Sequence, residues 1–288
     1  MNAPTLRTLL SGPDILLAPG VYDGLSALLV ERAGFDAAYI SGGSIAYTRF
    51  GRPDIGLVAM DEVAQTISVI RERVSIPLIV DADTGYGNAL NVIRTVKLFA
   101  RNGANALQLE DQDMPKRCGH LDEKRIVATG EMVGKIKAAL DSRPSDEVLI
   151  IARTDAVGTE GLEAALDRAE AYREAGADIL FVEALRSEAD IGAAMKRLSG
   201  SAPLMANMVE GGKTPIMSAR ALQELGFGLV IFPGGLVRAL TRTAVEYFDS
   251  LREHGTTTPF RDRMNDFQEI NNILGTTEML ELGRRYQG

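Results

Sequence analysis

Short apolar, β-branched runs recur along the chain, separated by longer stretches whose apolar positions follow helical spacing. The runs are "ILLAP" from Ile15, "AAYIS" from Ala37, "PLIVDAD" from Pro77, "ALQLED" from Ala106, "LIIARTD" from Leu149, "ILFVEA" from Ile179, "PLMANM" from Pro203 and "LVIFP" from Leu229. None alternates apolar with polar, so each predicts a strand covered on both faces. The intervening "GLSALLVERAG", "DEVAQTISVIRERV", "NVIRTVKLFARNG" and "GLEAALDRAEAYREAG" read as helices, several ending in glycine as helices commonly do. Strands and helices alternating in this number predict an α/β fold, a (β/α)8 TIM-type barrel, with a doubly wound open sheet as the competing arrangement. No Pro/Gly/Ser-rich linker divides the chain, which predicts one domain over 1–288: a barrel over 1–254 and a C-terminal helical arm over 255–288. The arm's Phe260, Met264, Phe267, Ile270, Ile273, Leu274, Met279 and Leu282 need a surface to cover, on the same barrel or on a neighbouring subunit.

Composition removes function classes rather than adding any. The 288 residues are 45% apolar and 24% charged, with net charge −8 and a pI near 5.0. Such a field repels nucleic acid and anionic membranes, so neither is expected as a partner. An acidic small-molecule substrate then needs a local cluster of Lys, Arg or metal. A single cysteine and two histidines exclude an internal disulfide and a thiolate zinc cage. The N-terminus has no signal-peptide core and no apolar run approaches about 18 residues, which predicts a cytoplasmic protein.

A barrel carries its chemistry at the carboxyl ends of its strands. Read in order, these ends are Ser41, then Asp81 with Asp83, Glu110, Arg153 with Asp155, Glu183 and Asn207. Asp81, Asp83 and Glu110 in one cavity repel unless they hold a cation, share a proton or pair with Arg or Lys. All-oxygen ligation suits Mg2+, or Mn2+; a turn or helix cap at Asp83 is the plainer alternative. Arg153 offers a planar fork to a substrate carboxylate, or an internal ion pair to Glu183 or Asp155. "GYGNAL" after Asp83 lacks the third glycine of the dinucleotide fingerprint. No lysine lies within the strand runs for Schiff-base chemistry, and Ser26, Ser41 and Ser44 have no histidine at a suggestive spacing. "GGKTP" at 211–215 reads as an anion cradle or as a simple surface loop.

The stretch "EDQDMPKRCGHLDEK" from Glu110 holds the only cysteine, Cys118, and one of the two histidines, His120. From Asp111 to Lys124 it has no apolar periodicity, so it can neither fill a core nor stand as a helix. It predicts a lid over the barrel mouth. Lys116, Arg117 and His120 beside Cys118 predict a lowered thiol pKa and a proton donor or acceptor near neutrality.

"KRCGH", preceded by "EDQ" and "DADTGYGN", with "SGG" at Ser41 to Gly43 and "ANMVEGGKTP" later, resembles the isocitrate lyase/phosphoenolpyruvate mutase superfamily over nearly the whole chain. The cysteine loop is specific to its carbon–carbon lyase branch. The resemblance implies the barrel, Mg2+ as cofactor, and a homotetramer in which C-terminal arms are exchanged between paired subunits. It implies Asp83 as direct metal ligand, with Asp81 and Glu110 acting largely through water. Ser41, Gly42 and Gly43 would hold the carboxylate and oxygen of a 2-keto acid above Tyr39, the candidate base. Asp54 would belong to the lid over strand two, and Arg153, Glu183 and Asn207 would contact substrate carboxylates. Cys118, Gly119 and His120, with Lys116, would form a gating loop whose cysteine passes a proton to the departing fragment. Methylisocitrate lyases carry "KRCGHR" and "NITEFGATP", which serve a third carboxylate. Here Leu121 and "NMVEGGKTP" stand instead, so the resemblance points to a 2-hydroxydicarboxylate of the substituted-malate type such as 2,3-dimethylmalate. A carboxyvinyl-carboxyphosphonate phosphorylmutase and an oxaloacetate hydrolase are the alternatives.

Overall fold

The computed structural model describes residues 4–121 and 123–287. In chain order it runs α1 Leu6–Leu10, β1 Leu16–Val21, α2 Gly24–Arg32, β2 Ala38–Ile40, α3 Gly42–Phe50, α4 Met60–Arg71, β3 Leu78–Asp81, α5 Ala89–Arg101, β4 Ala106–Glu110 and α6 Thr129–Ser142. There follow β5 Leu149–Thr154, α7 Leu162–Glu174, β6 Ile179–Val182, α8 Glu188–Leu198, β7 Met205–Asn207, α9 Ala219–Leu225, β8 Leu229–Phe232, α10 Gly235–His254, α11 Phe267–Leu274 and α12 Thr276–Arg284. Seven of the strands fall within the apolar runs read from the sequence, and β1 continues two residues past its run, from Pro19 to Val21.

The strands form one eight-stranded parallel sheet in the order β6-β5-β4-β3-β2-β1-β8-β7. Because β1 pairs with both β2 and β8, the sheet curls on itself rather than fanning open. Its ends meet at a seam where Leu180 and Leu204 form a single bridge and the Leu180 N–H donates to the Pro203 carbonyl at 3.0 Å. The fold is a (β/α)8 barrel.

Alternation along the strands decides what fills it. Residues two apart share a face. Leu16, Ala18, Tyr39, Ile79, Ala106, Leu149, Ile151, Ile179, Phe181, Met205, Leu229 and Ile231 make one buried cluster inside the barrel, joined by Leu6 of α1. Continuing the same parity toward the carboxyl ends gives Asp81 after Ile79, Gln108 and Glu110 after Ala106, Arg153 after Ile151, Glu183 after Phe181 and Asn207 after Met205. The barrel interior is therefore apolar below and polar at its mouth.

The chain divides into two compact units, Met1–Leu236 and Val237–Gly288. The first holds the barrel. In the second, the Tyr247 ring meets Phe248 and Phe260 edge-on at 5.3 and 5.5 Å, and Arg263 covers Phe260 and pairs with Glu246 at 2.6 Å. Among the described residues no helix is long and apolar enough to cross a membrane.

Candidate active site

Arg153 is the hub of the polar layer. Its guanidinium grips Asp155 with both Nε (2.8 Å) and Nη2 (3.1 Å) and pairs with Glu110 at 3.1 Å and Glu183 at 3.6 Å. Phe181 lies beneath it, 5.3 Å from ring centre to guanidinium carbon. Burial works against this cation, but Asp155, Glu110 and Glu183 together hold its pKa well above the ordinary value. The internal ion pair expected of Arg153 is therefore present, with Asp155 and Glu183 both engaged.

On the opposite side, Asp83 leaves β3 in the left-handed region at φ 47°, followed by Gly85 at 83° and Tyr86 at 61°. Positive φ at non-glycine residues is uncommon and gathers at functional loops. Lys135 of α6, itself buried, donates to the Thr84 carbonyl at 3.2 Å and supports this turn. Asp81 Oδ1 accepts the Asp83 amide at 3.2 Å and the Gln108 side-chain amide at 3.5 Å. Lys116 reaches down from the cysteine loop to Asp83 at 2.7 Å and Asp54 at 2.6 Å. Burial, with Asp81 and Asp54 close by, raises Asp83 to about 6 although Lys116 opposes the shift. Burial likewise raises Glu110 well above the carboxylate range, with Arg153 opposing. At neutral pH the Lys116–Asp83 pair is ionised, since its acidic partners outweigh the burial that would lower Lys116.

This donor set fits a hard divalent cation. Glu110 Oε1 is buried without a hydrogen bond, Asp83 Oδ1 has the Lys116 ammonium as its partner at 2.7 Å, and burial disfavours the charge of both acids. A Cβ on Gly42 would lie 3.2 Å from Asp81 Oδ2 and 3.7 Å from Asp83 Oδ1, so glycine there leaves space beside the acids. Among the described residues no group of three or more His, Cys, Asp or Glu side chains is placed to hold a metal ion. Mg2+ takes one or two carboxylates directly and keeps several waters, so the fit rests on Asp83 and its acidic neighbours alone.

Ser41 caps α3, its hydroxyl accepting the Ser44 amide at 3.2 Å. The amides of Gly42 and Gly43 open that helix, where no intrahelical acceptor exists and negative charge is favoured. Tyr39 lies below, donating its hydroxyl to Gln108 at 3.1 Å. Burial raises its phenol well above the ordinary value, with Asp81 adding to the shift. The environment therefore keeps Tyr39 protonated, which opposes the base role expected for it.

The cysteine loop lies against the site. Its legs are joined by the Gln112–Ile126 bridge and by the Asp113 amide donating to the Arg125 carbonyl at 2.9 Å. Gln112 holds both the amide (2.9 Å) and the carbonyl (2.8 Å) of Arg117. The Cys118 amide donates to the Asp54 carbonyl at 3.2 Å. Gly119 is pressed on the hub: a Cβ there would lie 2.2 Å from Arg153 Nη2 and 2.7 Å from Glu183 Cγ. His120 Nδ1 accepts the Lys213 amide at 3.1 Å, leaving Nε2 to carry the proton 3.7 Å from Glu183 Oε1 without a hydrogen bond. Burial lowers the His120 pKa, with Glu183 opposing. The "GGKTP" segment therefore holds the loop's histidine. Asn207 donates to Glu183 at 3.0 Å.

One expectation reverses. Burial raises the Cys118 pKa, and Asp54 raises it further, against the His120 amide and Arg153. The neighbouring cations do not act on the sulfur as their sequence positions suggest: Lys116 is drawn to Asp54 and Asp83, and Arg117 pairs with exposed Glu123 at 2.9 Å. The thiol is held protonated.

The structure also adds groups. Gln108 links Tyr39 to Asp81, and its polarity inside "ALQLE" at the parity of Glu110 was the available signal. Lys124 pairs with Asp155 at 2.8 Å, and Asp111 accepts Thr154 and Tyr172 hydroxyls at 2.7 Å each and the Asp155 amide at 2.8 Å. No local pattern marks those. Burial would raise Asp155, yet Arg153 and Lys124 bring it down from 3.8 to about 2. A depressed carboxylate stabilises the fold above its unfolded pKa and loses that contribution as pH falls through the folded one, here about 2 kcal/mol between pH ~4 and ~2. In acid-unfolding titrations Asp155→Asn should show a flatter stability profile over that window than the wild type; parallel profiles would remove the assigned pairing.

A family model described as phosphoenolpyruvate phosphomutase matches residues 6–252. The chain is 42% identical over 287 residues to 2,3-dimethylmalate lyase of Eubacterium barkeri, covering 99% of this chain and 98% of that one. It is 45% identical over 270 residues to 2-methylisocitrate lyase of Aeropyrum pernix, covering 94% and 86%. A crystal structure of phosphonopyruvate hydrolase with oxalate and Mg2+ superposes with a TM-score of 0.89 at 30% identity, covering 98% of each chain.

Proposed function

Since the chain belongs to the phosphoenolpyruvate mutase/isocitrate lyase superfamily, we propose that it is a Mg2+-dependent carbon–carbon lyase acting on a substituted malate and releasing a 2-keto acid and a monocarboxylate. The observation that carries the reading is the position of Cys118: a protonated thiol on a loop whose next residue, Gly119, touches Arg153 and Glu183 beside the acidic cluster.

Asp83 would hold the metal directly, with Asp81 and Glu110 receiving its waters; Mn2+ would be held in the same way. When bound, the ion supplies Lewis acidity to the oxygens of the keto acid. The substrate carboxylate on that side meets Ser41 and the opening amides of α3 at Gly42 and Gly43, while Asp54 holds Lys116 over the same space. Arg153, flanked by Glu183 and Asn207, faces the second carboxylate.

Transfer of the 2-hydroxyl proton to a carboxylate of the acidic cluster beside Gly42 lets the bond between C2 and C3 break. Its electron pair moves to C3 and its carboxylate as an enediolate, too basic to leave unaided. Arg153 and the Nε2–H of His120 offer positive charge and a donor to those oxygens. Cys118 then delivers its proton to C3. The raised thiol pKa serves this step, because an acid must enter it protonated.

Two carboxylates suit the site better than three. After His120 the loop carries Leu121, 46% exposed and uncharged, where a third carboxylate would need a cation. The single cysteine and the exposed Phe248, Phe267 and Tyr286 support a cytoplasmic homotetramer with exchanged arms. The test is a panel of 2-hydroxydicarboxylates and tricarboxylates with Mg2+, read as keto acid formed. Alkylated malates should turn over faster than methylisocitrate. Keto acid from methylisocitrate alone would overturn the substrate class.

A further inference from the structure

We propose that Lys124 is a positioning residue, the latch that ties the tip and the second leg of the cysteine loop to the end of β5. Its neighbours on the second leg face solvent. Around Lys124 the side chains of Glu123 and Arg125 are 82% and 72% exposed, whereas that of Lys124 is 3% exposed. Its ammonium turns inward and donates to two acceptors at once: the Gly119 carbonyl at the loop tip, and Asp155 Oδ1 at 2.8 Å.

Both acceptors are fixed by other groups. Asp155 is gripped by Arg153 and receives no freedom from its backbone, whose amide donates to Asp111. Gly119 has no room to slide toward the barrel, because Arg153 and Glu183 stand against it. Two other ties of the tip, Cys118 amide to Asp54 carbonyl and Lys213 amide to His120, are neutral hydrogen bonds. A buried charge-assisted bond contributes about twice as much as either. Lys116 secures the first leg to the site's own carboxylates, and Lys124 secures the second to Asp155. The inference rests on the lyase reading only for its catalytic consequence, a fall in kcat when the thiol is no longer held in place.

Cys118 is the chain's only cysteine, so its alkylation by iodoacetamide reports the loop without interference. At fixed pH, Lys124→Met should raise the alkylation rate about tenfold or more, the factor a lost charge-assisted bond gives a local opening equilibrium. Lys124→Arg should stay near the wild-type rate. The direction is diagnostic: removing a nearby cation without opening the loop would reduce the thiolate fraction and slow alkylation. Lys124→Gln, which keeps a donor but cannot reach both acceptors, should behave like the methionine variant and replaces it if that variant does not fold. Alkylation unchanged or slowed in the folded variant overturns the latch. Accelerated alkylation in a protein that cleaves no malate would keep the latch and reject the lyase.

Discussion

Cys118→Ala is expected to lower kcat by about a thousandfold while Mg2+ and pyruvate bind as they do to the wild type, the scale lying within what a positioned general acid contributes. The reason is the separation of tasks in the site. The acids proposed to hold the metal come from the ends of β3 and β4, and the amides of Gly42 and Gly43 open α3. None is touched by removal of a sulfur atom from the loop. What is lost is the proton for C3. Turnover rates and calorimetric titrations on the same preparations separate the two effects. Wild-type turnover in the variant would show that another group protonates the carbanion.

Gly119→Ala should be nearly as damaging for a steric reason. Its Cβ would meet Arg153 Nη2 at 2.2 Å, a distance real contacts do not show. Arg153 cannot step aside, held as it is by Asp155, Glu110 and Glu183. The loop tip must lift instead and carry Cys118 with it. A displacement on the order of 1 Å in an aligned site costs roughly a hundredfold in rate. The loop lies outside the barrel core, so the thermal midpoint should stay near that of the wild type. Unaltered kcat and KM in this variant would mean that the loop position seen in the structure is not the reactive one.

The architecture was legible because strands buried on both faces write themselves as uninterrupted apolar runs, and because barrel parity carries Ile79 to Asp81 and Ile151 to Arg153. The same parity would have found Gln108. Helix-spaced apolar stretches such as "NVIRTVKLFARNG" recovered the surrounding helices for an equally local reason. The thiol's acidity was misread for the opposite one. Lys116 and Arg117 are its neighbours along the chain, but in space one is spent on Asp54 and Asp83 and the other faces solvent with Glu123. Burial and Asp54 are what the sulfur meets. Lys124 with Asp155, and Asp111 with Thr154 and Tyr172, depend on contacts between distant segments, which no spacing rule encodes.

The most direct measurement follows the products of 2,3-dimethylmalate and Mg2+ in D2O by NMR, with wild type and Cys118→Ala side by side. The wild type should release pyruvate and propionate in equal amounts, the propionate carrying one deuterium at C2, and the variant should release neither on the same timescale. Equal product formation by both proteins, or no bond cleavage by the wild type, would contradict the assignment of Cys118 as the acid that completes carbon–carbon cleavage.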